Sequence, residues 1–388
     1  MTDETDQIDQ MVADVLEGQS VAWPDAWTAR ETLELVLRRV NYHGVAGLLA
    51  ERFALLTGWP GEVTQPIREQ AVGQAMWELR HRAVLCELLA ALADAGIVAI
   101  LLKGTALAYD LYPVPATRSR GDSDVLIASG DLGPARAILR RLGFNGQAAD
   151  GGAGDDHALQ EVWSLVGDNG MEHHVDLHWQ LLNSPALRDV LPFADCSANL
   201  IALPRLSSSA LSMDRTRTLI HTCIHRAMHV TAPYFVDGET YHGGNRLIWI
   251  HDIHLLAGAL TDAQWTEFCA LARQKGVSAV CLDGLVAAQR RLGTKAPHQV
   301  SQQLALPARH ARASAYLLGS RQFGRAWLDL LAIRGLRWKL TYIKARALPS
   351  TAYIRGKYAG TARTPLVLLY VRRIVDLLRP RPDRSERR

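Results

Sequence analysis

A short stretch of strand-like sequence between two regions of helical periodicity most constrains the fold of this chain. Apolar residues recur at helical spacing from about residue 10 to 95 and again from Ser212 onward. Between these regions, Ile97–Leu102 and Asp122–Ile127 contain short apolar runs that are typical of buried strands. The pattern predicts an α+β fold, in which N-terminal and C-terminal helical regions flank a small mixed β-sheet core.

The changes in periodicity divide the 388 residues into four predicted parts. They are an N-terminal helical region (1–95), a sheet-containing core (96–205), a C-terminal helical domain (206–335) and a basic tail (336–388). Since a domain typically has roughly 100–200 residues, the length is sufficient for two or three domains.

Local signals predict the individual elements. Leu159–Val166 and Met171–Trp179 indicate a β-hairpin, because the Gly167–Gly170 segment between them suits a tight turn. Lys103–Thr105 is predicted to be a turn, and Gly146–Asp156 a mobile loop. The predicted helices lie in Trp27–Phe53, Pro66–Ala95, Leu132–Leu142, Arg215–Val230, Leu247–Ala259, Asp262–Lys275, Ala279–Leu292 and Arg309–Ile333.

Composition argues against several classes of protein. The five cysteines are scattered without a CxxC pair, which argues against a disulfide framework or a thiolate zinc site. The first ten residues are polar and acidic, unlike a signal peptide, and no uncharged apolar run reaches the ~18–20 residues of a membrane-spanning helix. We therefore expect a protein of the reducing cytoplasm.

The C-terminal tail is strongly basic. From Arg334 to the end there are 15 Lys and Arg against 3 Asp and Glu, whereas the net charge of the whole chain is only +4. Leu336–Tyr358 interleaves basic and aromatic residues, Pro365–Leu378 is apolar with two arginines, and Arg379–Arg388 is predicted to be disordered. Core packing with a basic rim, peripheral contact with an anionic membrane and RNA binding all remain open for this tail.

Three aspartates form the main candidate for a catalytic centre. Asp122 and Asp124 are separated by one residue, so on a strand both carboxylates would lie on one face. Asp176 lies in the run His174–His178, which a neighbouring strand could bring beside the pair. Three carboxylates can hold two divalent cations about 3.5–4 Å apart, and Mg²⁺ prefers carboxylate oxygens. The structural alternative is that Asp-x-Asp is a turn or helix-capping device.

The residues before the aspartate pair suggest a phosphate-binding segment. Lys103, Gly104 and Thr105 follow an apolar strand and precede a helical stretch, whose first N–H groups would be available to phosphate. Arg118 and Arg120 carry guanidinium groups that bind phosphate in a bidentate manner. The alternative for these arginines is salt bridges with the acidic residues beside them.

Histidines recur in the C-terminal helical region. His221, His225 and His229 are spaced by four residues and so share one face of a helix. They could bind a transition metal, lie in a seam between helices or line a substrate cleft. Substrate lining is the role predicted for His225 together with Asp252, and also for His178 on the Asp176 strand.

The motifs resemble a known family. Leu102–Leu107, Arg118–Asp124 and His174–His178 look like the bacterial uncharacterised nucleotidyltransferase family (nucleotidyltransferase family 5) of the polymerase-β-like nucleotidyltransferase superfamily. His221–His225 and Arg246–Asp252 are similar to the second half of that family. The resemblance covers about residues 75–260, and a threonine follows the motif glycine where the superfamily has serine or glycine.

The resemblance implies a nucleotidyltransferase core in residues 96–205 that uses Mg²⁺, with two ions expected and Mn²⁺ as an alternative. It implies catalytic and metal-binding roles for Asp122, Asp124 and Asp176. The residues that it implies for binding the nucleotide are Lys103, Gly104, Thr105, Arg118 and Arg120.

The implied reaction moves a nucleoside monophosphate from an NTP to a hydroxyl group. Because the chain before the tail is acidic overall, a small molecule or peptide is favoured over nucleic acid as the acceptor, as in an accessory tailoring enzyme. Two other hypotheses remain open: a catalytically silent nucleotide-binding or regulatory module on the same fold, and a glycosyl transferase that uses a nucleotide sugar.

Overall fold

The structure is a computed structural model that describes residues 2–148, 159–167, 170–182, 184–230, 233–236, 239–242, 245–306, 312–319, 322–347, 351, 354 and 364–378. Its first helices are α1 (Thr2–Leu16), α2 (Arg30–His43), α3 (Ala46–Glu51), α4 (Gly61–Asp94), α5 (Lys103–Asp110), α6 (Leu132–Arg141), α7 (Phe193–Cys196) and α8 (Arg215–Val230). They are followed by α9 (Leu247–Ala259), α10 (Asp262–Gln274), α11 (Ser278–Leu292), α12 (His298–Ala305), α13 (Arg312–Ser314), α14 (Gln322–Ala332), α15 (Leu336–Ala347) and α16 (Leu366–Leu378).

The strands form one large sheet and two small ones. The strands are β1 (Val21–Ala22), β2 (Leu56–Thr57), β3 (Ile100–Leu101), β4 (Asp122–Leu126), β5 (Asn145–Ala148), β6 (Gln160–Val166), β7 (Glu172–His178), β8 (Leu200–Ala202), β9 (Leu211–Met213), β10 (Pro233–Val236) and β11 (Glu239–His242). The large sheet has the order β5-β6-β7-β4-β3-β9-β8, with β4 parallel to β7 and antiparallel to β3. This mixed sheet flanked by helices confirms the predicted α+β fold.

The two faces of the large sheet belong to two apolar clusters. Val125 on β4 and Val175 and Leu177 on β7 are buried in a cluster with residues of α4 and α6. Ile100 on β3 and Leu126 on β4 belong to the other cluster, which contains the centres of α8 and α9. Since successive side chains of a strand point to opposite faces, the odd-numbered residues of β4 and β7 pack on α4 and α6. The even-numbered residues face the C-terminal helices.

The N-terminal and C-terminal helices share one apolar core. Ile8 and Val12 of α1 and Val36 of α2 lie in the same cluster as Cys281 and Leu285 of α11. Burial of such apolar surface provides the main driving force for packing. The first helices therefore pack on the C-terminal helices rather than forming a separate core, and the predicted division of the chain into four parts stays a prediction.

Several predicted elements agree closely with the structure. The helices predicted over Arg215–Val230 and Leu247–Ala259 are α8 and α9, with the same ends. The strands predicted over Leu159–Val166 and Met171–Trp179 are β6 and β7, which pair in an antiparallel manner. Residues 168 and 169 of the predicted turn lie outside the described residues. So do residues 379–388, for which disorder is predicted.

Two predictions about local structure are wrong, and a third is confirmed only in part. Lys103–Thr105 is not a turn but the first turn of α5. Residues 146–148 of the predicted loop belong to β5, because the backbone there pairs with β6, a long-range contact that local composition does not reveal. Residues 149–156 lie outside the described residues. The helix predicted over Arg309–Ile333 is α-helical at Arg312–Ser314 and Gln322–Ala332, but Ala315–Gly319 form a π-helical segment.

The helices of the described segments are not membrane-spanning. Within these segments, no helix combines the length and the hydropathy needed to cross a lipid bilayer.

Candidate active site

The pairing of β4 with β7 brings the predicted aspartates together. Asp124 lies directly opposite Asp176, and Asp122 lies opposite His174, in the register of these parallel strands. Because alternate residues share a face, Asp122, Asp124 and Asp176 all lie on the side of the sheet that faces the C-terminal helices. The strand pairing thus places carboxylates from two separate parts of the chain on one surface.

A potential metal-binding group lies on this surface. One ligand atom each of Asp124, Asp176 and His178 lies within 4.8 Å of the others, and His178 Nε2 is 2.9 Å from Asp124 Oδ1. Asp122 is not a member of this geometric group, although it is the next residue along the same face of β4. The sequence-based set of ligands is therefore extended by an imidazole that is two residues beyond Asp176.

Lys103 supplies a positive charge to the carboxylates. Its Nζ donates a hydrogen bond of 2.5 Å to Asp124 Oδ1, and its side chain is partly exposed. Burial lowers the pKa of Lys103, but the charges of Asp124, Asp122 and Asp176 outweigh this effect and raise it above its usual value. The lysine is therefore a permanent cation at the edge of the acidic cluster.

The three carboxylates have different proton affinities. Burial and the charges of Asp122 and Asp124 raise the pKa of Asp176 to about 7. Desolvation and the Asp124 charge also raise the pKa of Asp122, although this residue is exposed at the start of β4. Burial alone would raise the pKa of Asp124, but Lys103 and His178 hold it well below its usual range. Asp176 and Asp122 thus carry negative charge that the protein itself leaves incompletely compensated, which fits a site for a divalent cation.

The N-terminus of α5 lies next to this cluster. Lys103 has a φ of +48°, in the left-handed region, which costs an L-residue about 1–2 kcal/mol. The preceding Leu102 is extended, its N–H donates to the carbonyl of Asp124, and no side chain caps the helix. The strained residue thus turns the chain from β3 into α5 beside β4. It places the lysine ammonium and the first helix N–H groups at the site, where they favour an anion.

Gly104 is enclosed by the two predicted arginines. A Cβ added to this residue would lie 3.5 Å from Arg118 Cζ and 3.5 Å from Arg120 Cδ. The structure therefore brings Gly104, Arg118 and Arg120 together, and their role in binding phosphate stays a prediction. Both guanidinium groups are buried, however, and each is already bonded to a carboxylate elsewhere.

Arg118 forms a buried ion pair with Asp252 of α9. Its Nε and Nη2 lie 2.8 and 2.7 Å from the two carboxylate oxygens, and Tyr112 donates a further hydrogen bond of 2.7 Å to Asp252. His251 Nδ1 lies 3.1 Å from the Tyr112 hydroxyl. This network joins the loop before β4 to the C-terminal helices. A contact of Arg118 with phosphate and of Asp252 with substrate both stay predictions.

Arg120 is paired with Glu78 of α4. Its Nη2 donates a 2.7 Å hydrogen bond to Glu78 Oε1, which also accepts one from the Tyr109 hydroxyl. Among the described residues, the buried Nε and Nη1 of Arg120 have no protein acceptor. Because a buried guanidinium group usually has all its donors satisfied, these two N–H groups are available to a ligand oxygen.

Thr105 is part of a buried chain of hydrogen bonds behind the site. Its hydroxyl lies 2.8 Å from Ser123 Oγ, which lies 2.7 Å from His81 Nε2, and His81 Nδ1 lies 3.3 Å from His173 Nδ1. Trp77 stacks on His81 with ring centroids 4.3 Å apart. The chain fixes α5 and α4 to the back of β4. The predicted role of Thr105 in holding the triphosphate stays a prediction, because its hydroxyl already has this protein partner.

The histidines of α8 lie close enough to the carboxylate cluster to feel the charges of Lys103 and Asp124. Burial lowers the pKa of His221 to about 3 and that of His229 to about 4, with a further contribution from Lys103. Burial, then His229 and Lys103, lower the pKa of His225 well below its usual value. The rings of His225 and His229 lie 4.5 Å apart, and each lies 5.5 Å from that of Trp249. The α8 face is therefore an uncharged aromatic wall beside the site at neutral pH.

A comparison with family models identifies the chain. The model of a family described as uncharacterised nucleotidyltransferase matches residues 30–293. The chain belongs to this nucleotidyltransferase family. Among curated proteins, none matches the chain.

The family match includes both halves of the site. It begins at the start of α2, covers the strands that carry the aspartates and ends just after α11. Family membership implies an NTP substrate and nucleotidyl transfer in general terms. Helices α12 to α16 lie beyond the matched residues.

Sequence reasoning assigned His178 to the substrate rather than to the ligand group, and it missed two supporting residues of the candidate site, His81 and Glu78. The sequence does contain a signal for His178 as a ligand. This residue is two positions from Asp176 on the same predicted strand, so the two side chains share a face. His81 and Glu78 had no such signal. They lie within the long helix α4 and meet Ser123 and Arg120 only because α4 packs across the sheet.

Proposed function

We propose that this nucleotidyltransferase moves a nucleoside monophosphate from an NTP to a hydroxyl group of a small molecule or peptide, with Mg²⁺ as its cofactor. The single observation that carries the proposal is the register of β4 and β7, which sets Asp124 opposite Asp176 with His178 beside them. Clustered carboxylates without an equal number of cations are unfavourable in a folded protein unless a ligand compensates them.

The cation site is assigned to Asp122, Asp124 and Asp176, with His178 as an additional nitrogen donor. Mg²⁺ bound to these groups would act as a Lewis acid, stabilising negative charge on the phosphates and on the departing pyrophosphate. The carboxylates provide the oxygen ligands that this ion prefers. Two ions are expected, with Mn²⁺ as an alternative.

The triphosphate is assigned to the N-terminus of α5. The ammonium of Lys103 and the first N–H groups of α5 offer positive charge and hydrogen-bond donors without a side-chain cap. Gly104 carries no Cβ, so the side chains of Arg118 and Arg120 can lie close against this backbone segment. The unpartnered donors of Arg120 add a further contact from the side of α4.

Asp176 is the group assigned to the acceptor proton. The acceptor oxygen attacks the α-phosphorus, a new P–O bond forms, and the bond to the β-phosphate oxygen breaks to release pyrophosphate. The hydroxyl proton must leave the acceptor oxygen, and the carboxylate of Asp176, directly opposite Asp124 on the neighbouring strand, is the group proposed to accept it. Asp176 is therefore proposed to complete the metal site and to serve as base or ligand for the acceptor hydroxyl.

Transfer of a radiolabel from the NTP to an acceptor is the decisive test of this proposal. The purified protein is incubated with extract of its host and with each NTP labelled in either the α- or the γ-phosphate, with and without Mg²⁺. We expect Mg²⁺-dependent labelling of a small molecule or peptide from the α-labelled NTP alone, with release of pyrophosphate. Label transferred from the γ-position would show phosphoryl transfer instead and contradict the proposal.

Matched variants connect that activity to the site. Asp124→Asn and Asp176→Asn are expected to abolish labelling, whereas Asp94→Asn, at an exposed position on the last turn of α4, should leave it unchanged. Nucleotide binding without turnover would indicate a silent regulatory module. Labelling only from a nucleotide sugar would indicate glycosyl transfer.

A further inference from the structure

The C-terminal helices expose large apolar side chains at helical spacing. On α15, Leu336, Leu340 and Ile343 recur at intervals of four and three residues, and Leu336 is 74% exposed. Side chains at this spacing share one face of a helix. The neighbouring helices have similar stripes, comprising Trp327 and Leu331 on α14 and Val367, Leu368 and Val371 on α16. Exposed apolar surface of this extent is typical of an interaction site.

The exposed faces belong to helices that are fixed to the body of the protein. Asp329 of α14 is almost fully buried and accepts hydrogen bonds from Ser184 Oγ at 2.5 Å and from the backbone N–H of Ala186 at 3.2 Å. It also accepts hydrogen bonds from the hydroxyls of Tyr316 and Tyr342, at 3.1 and 2.9 Å. Tyr342 belongs to α15, so one carboxylate joins two of the exposed helices to the segment that follows β7. The apolar stripes of α14 and α15 are therefore held in place while remaining exposed.

The same helices are surrounded by positive charge. Arg334, Arg337, Lys344 and Arg372 are exposed, and from Arg334 onward Lys and Arg outnumber Asp and Glu by 15 to 3. The guanidinium of Arg337 lies over the ring of Trp338, which is itself partly exposed. Apolar faces bordered by basic and aromatic side chains match the layered chemistry of an anionic bilayer surface, with acyl chains beneath charged headgroups.

We propose that α14, α15 and α16 bind the surface of an anionic lipid bilayer and thereby hold the catalytic site at a membrane. The exposed aliphatic residues favour lipid over nucleic acid, because single-stranded nucleic acid binds through aromatic stacking and phosphate contacts, to which Leu and Val contribute little. The charge excess favours an anionic bilayer over an apolar surface of another protein. These helices follow the family-matched residues 30–293, so the contact is additional to the family site. It does not depend on the proposed transfer reaction.

Vesicle flotation with the full chain tests this proposal. Phosphatidylcholine vesicles with and without phosphatidylglycerol serve as probes. We expect binding to the mixed vesicles, with much weaker binding to phosphatidylcholine alone and a decrease when salt is added. The double variant Leu336→Gln/Leu340→Gln should weaken binding to the mixed vesicles by about tenfold or more, because two apolar side chains no longer enter the bilayer.

A matched double variant controls for the loss of apolar surface. Val72→Gln/Leu79→Gln changes two residues of α4 that are 59% and 71% exposed, close to the values of 58% for Leu340 and 74% for Leu336. This control should bind as the unmodified chain does. The variant Arg334→Gln/Arg337→Gln should reduce binding to the mixed vesicles by about thirtyfold, since each basic residue near an anionic surface contributes roughly 1 kcal/mol. Unchanged thermal unfolding would show that each variant is folded.

Several results would overturn the proposal. One is equal binding to vesicles with and without phosphatidylglycerol. Another is a loss of binding in the control variant Val72→Gln/Leu79→Gln as large as that in Leu336→Gln/Leu340→Gln. Binding of RNA oligonucleotides that Leu336→Gln/Leu340→Gln leaves intact, without vesicle binding, would assign the tail to nucleic acid. Dimerisation abolished by the same variant, without vesicle binding, would assign the exposed faces to a second copy of the chain.

Discussion

Asp124 and Asp176 lie opposite each other on the parallel strands β4 and β7, although 51 residues separate them in the sequence. Their carboxylates share one face of the sheet with His178, whose ring is hydrogen-bonded to the carboxylate of Asp124. Lys103 contributes a cation from the start of α5. This arrangement gives the metal-free protein a partly uncompensated acidic cluster, and it leads to the first prediction below.

Replacing Asp176 by Asn should stabilise the protein in the absence of metal while abolishing transfer. The folded chain raises the pKa of Asp176 to about 7 and so favours the protonated carboxyl group. The stability that this protonated group contributes is fully present below the pKa of an ordinary carboxyl group, and it is lost as the pH rises through 7. Near pH 8, the ionised carboxylate costs free energy that Asn does not, and we expect Asp176→Asn to raise the free energy of unfolding by about 1–3 kcal/mol.

Urea unfolding with a chelator and with Mg²⁺ measures this effect. Mg²⁺ should stabilise the unmodified protein more near pH 8 than near pH 6, since the ion competes with the Asp176 proton, and should stabilise Asp176→Asn much less. A variant that is less stable than the unmodified protein in chelator near pH 8 would contradict the expected repulsion among the carboxylates.

Thr105→Val should affect stability more than nucleotide affinity. The substitution removes the hydroxyl that bonds Ser123 and leaves the volume almost unchanged, so we expect a loss of about 1–2 kcal/mol in the free energy of unfolding. The KM for the NTP should change less than threefold, because the hydroxyl is bonded to the protein rather than open to the triphosphate. Steady-state kinetics separate the two roles. A large increase in KM with unchanged stability would assign the hydroxyl to phosphate binding instead.

Breaking the Arg118–Asp252 pair should destabilise the protein strongly. Each partner is buried, so Arg118→Met or Asp252→Leu alone leaves an unpaired buried charge and should cost about 3–5 kcal/mol. The double variant should cost less than the sum of the two single variants, because it leaves neither charge behind. Urea unfolding of the four proteins gives the coupling energy. Additive losses would show that the two side chains do not stabilise each other.

Acid should destabilise the N-terminal helices through His43. Its Nδ1 accepts a 3.0 Å hydrogen bond from the backbone N–H of Leu247, so the proton lies on Nε2, which is 2.8 Å from Asp9 Oδ1. Burial, only partly offset by Asp9, lowers the pKa of His43 to about 4. A second proton on Nδ1 would also face the N–H of Leu247. The unfolded chain therefore binds a proton more readily than the folded chain between about pH 6.5 and 4.

The variant His43→Gln isolates this contribution. Its amide can still donate toward Asp9 and accept from Leu247, but it does not titrate. Between pH 7 and about pH 5, the unmodified protein should lose about 2 kcal/mol more of its unfolding free energy than the variant does. Other buried histidines affect both proteins alike. Equal losses in the two proteins would show that His43 is not a source of the acid sensitivity.

The sequence by itself determined the elements that local periodicity encodes. The apolar run after Asp122 predicted a strand over Asp122–Ile127, and the turn signal at Gly167–Gly170 predicted another over Met171–Trp179. Helical spacing predicted α8 and α9 with their observed ends. These properties depend on residues within a few positions of each other, because the repeat of a strand or helix fixes which side chains share a face. The motifs also carried the resemblance to the nucleotidyltransferase family that the family match then established.

Only the tertiary structure decided how these elements meet. Whether Asp176 lies beside Asp124 depends on the pairing of β7 with β4, and neither strand contains a local signal for that choice. No local signal specifies the hydrogen bond between His81 and Ser123 either, nor the ion pair between Arg118 and Asp252, which are 134 residues apart. Such contacts arise because the apolar faces of distant helices and strands must be buried together, and the polar side chains at their borders then find partners that no local pattern specifies.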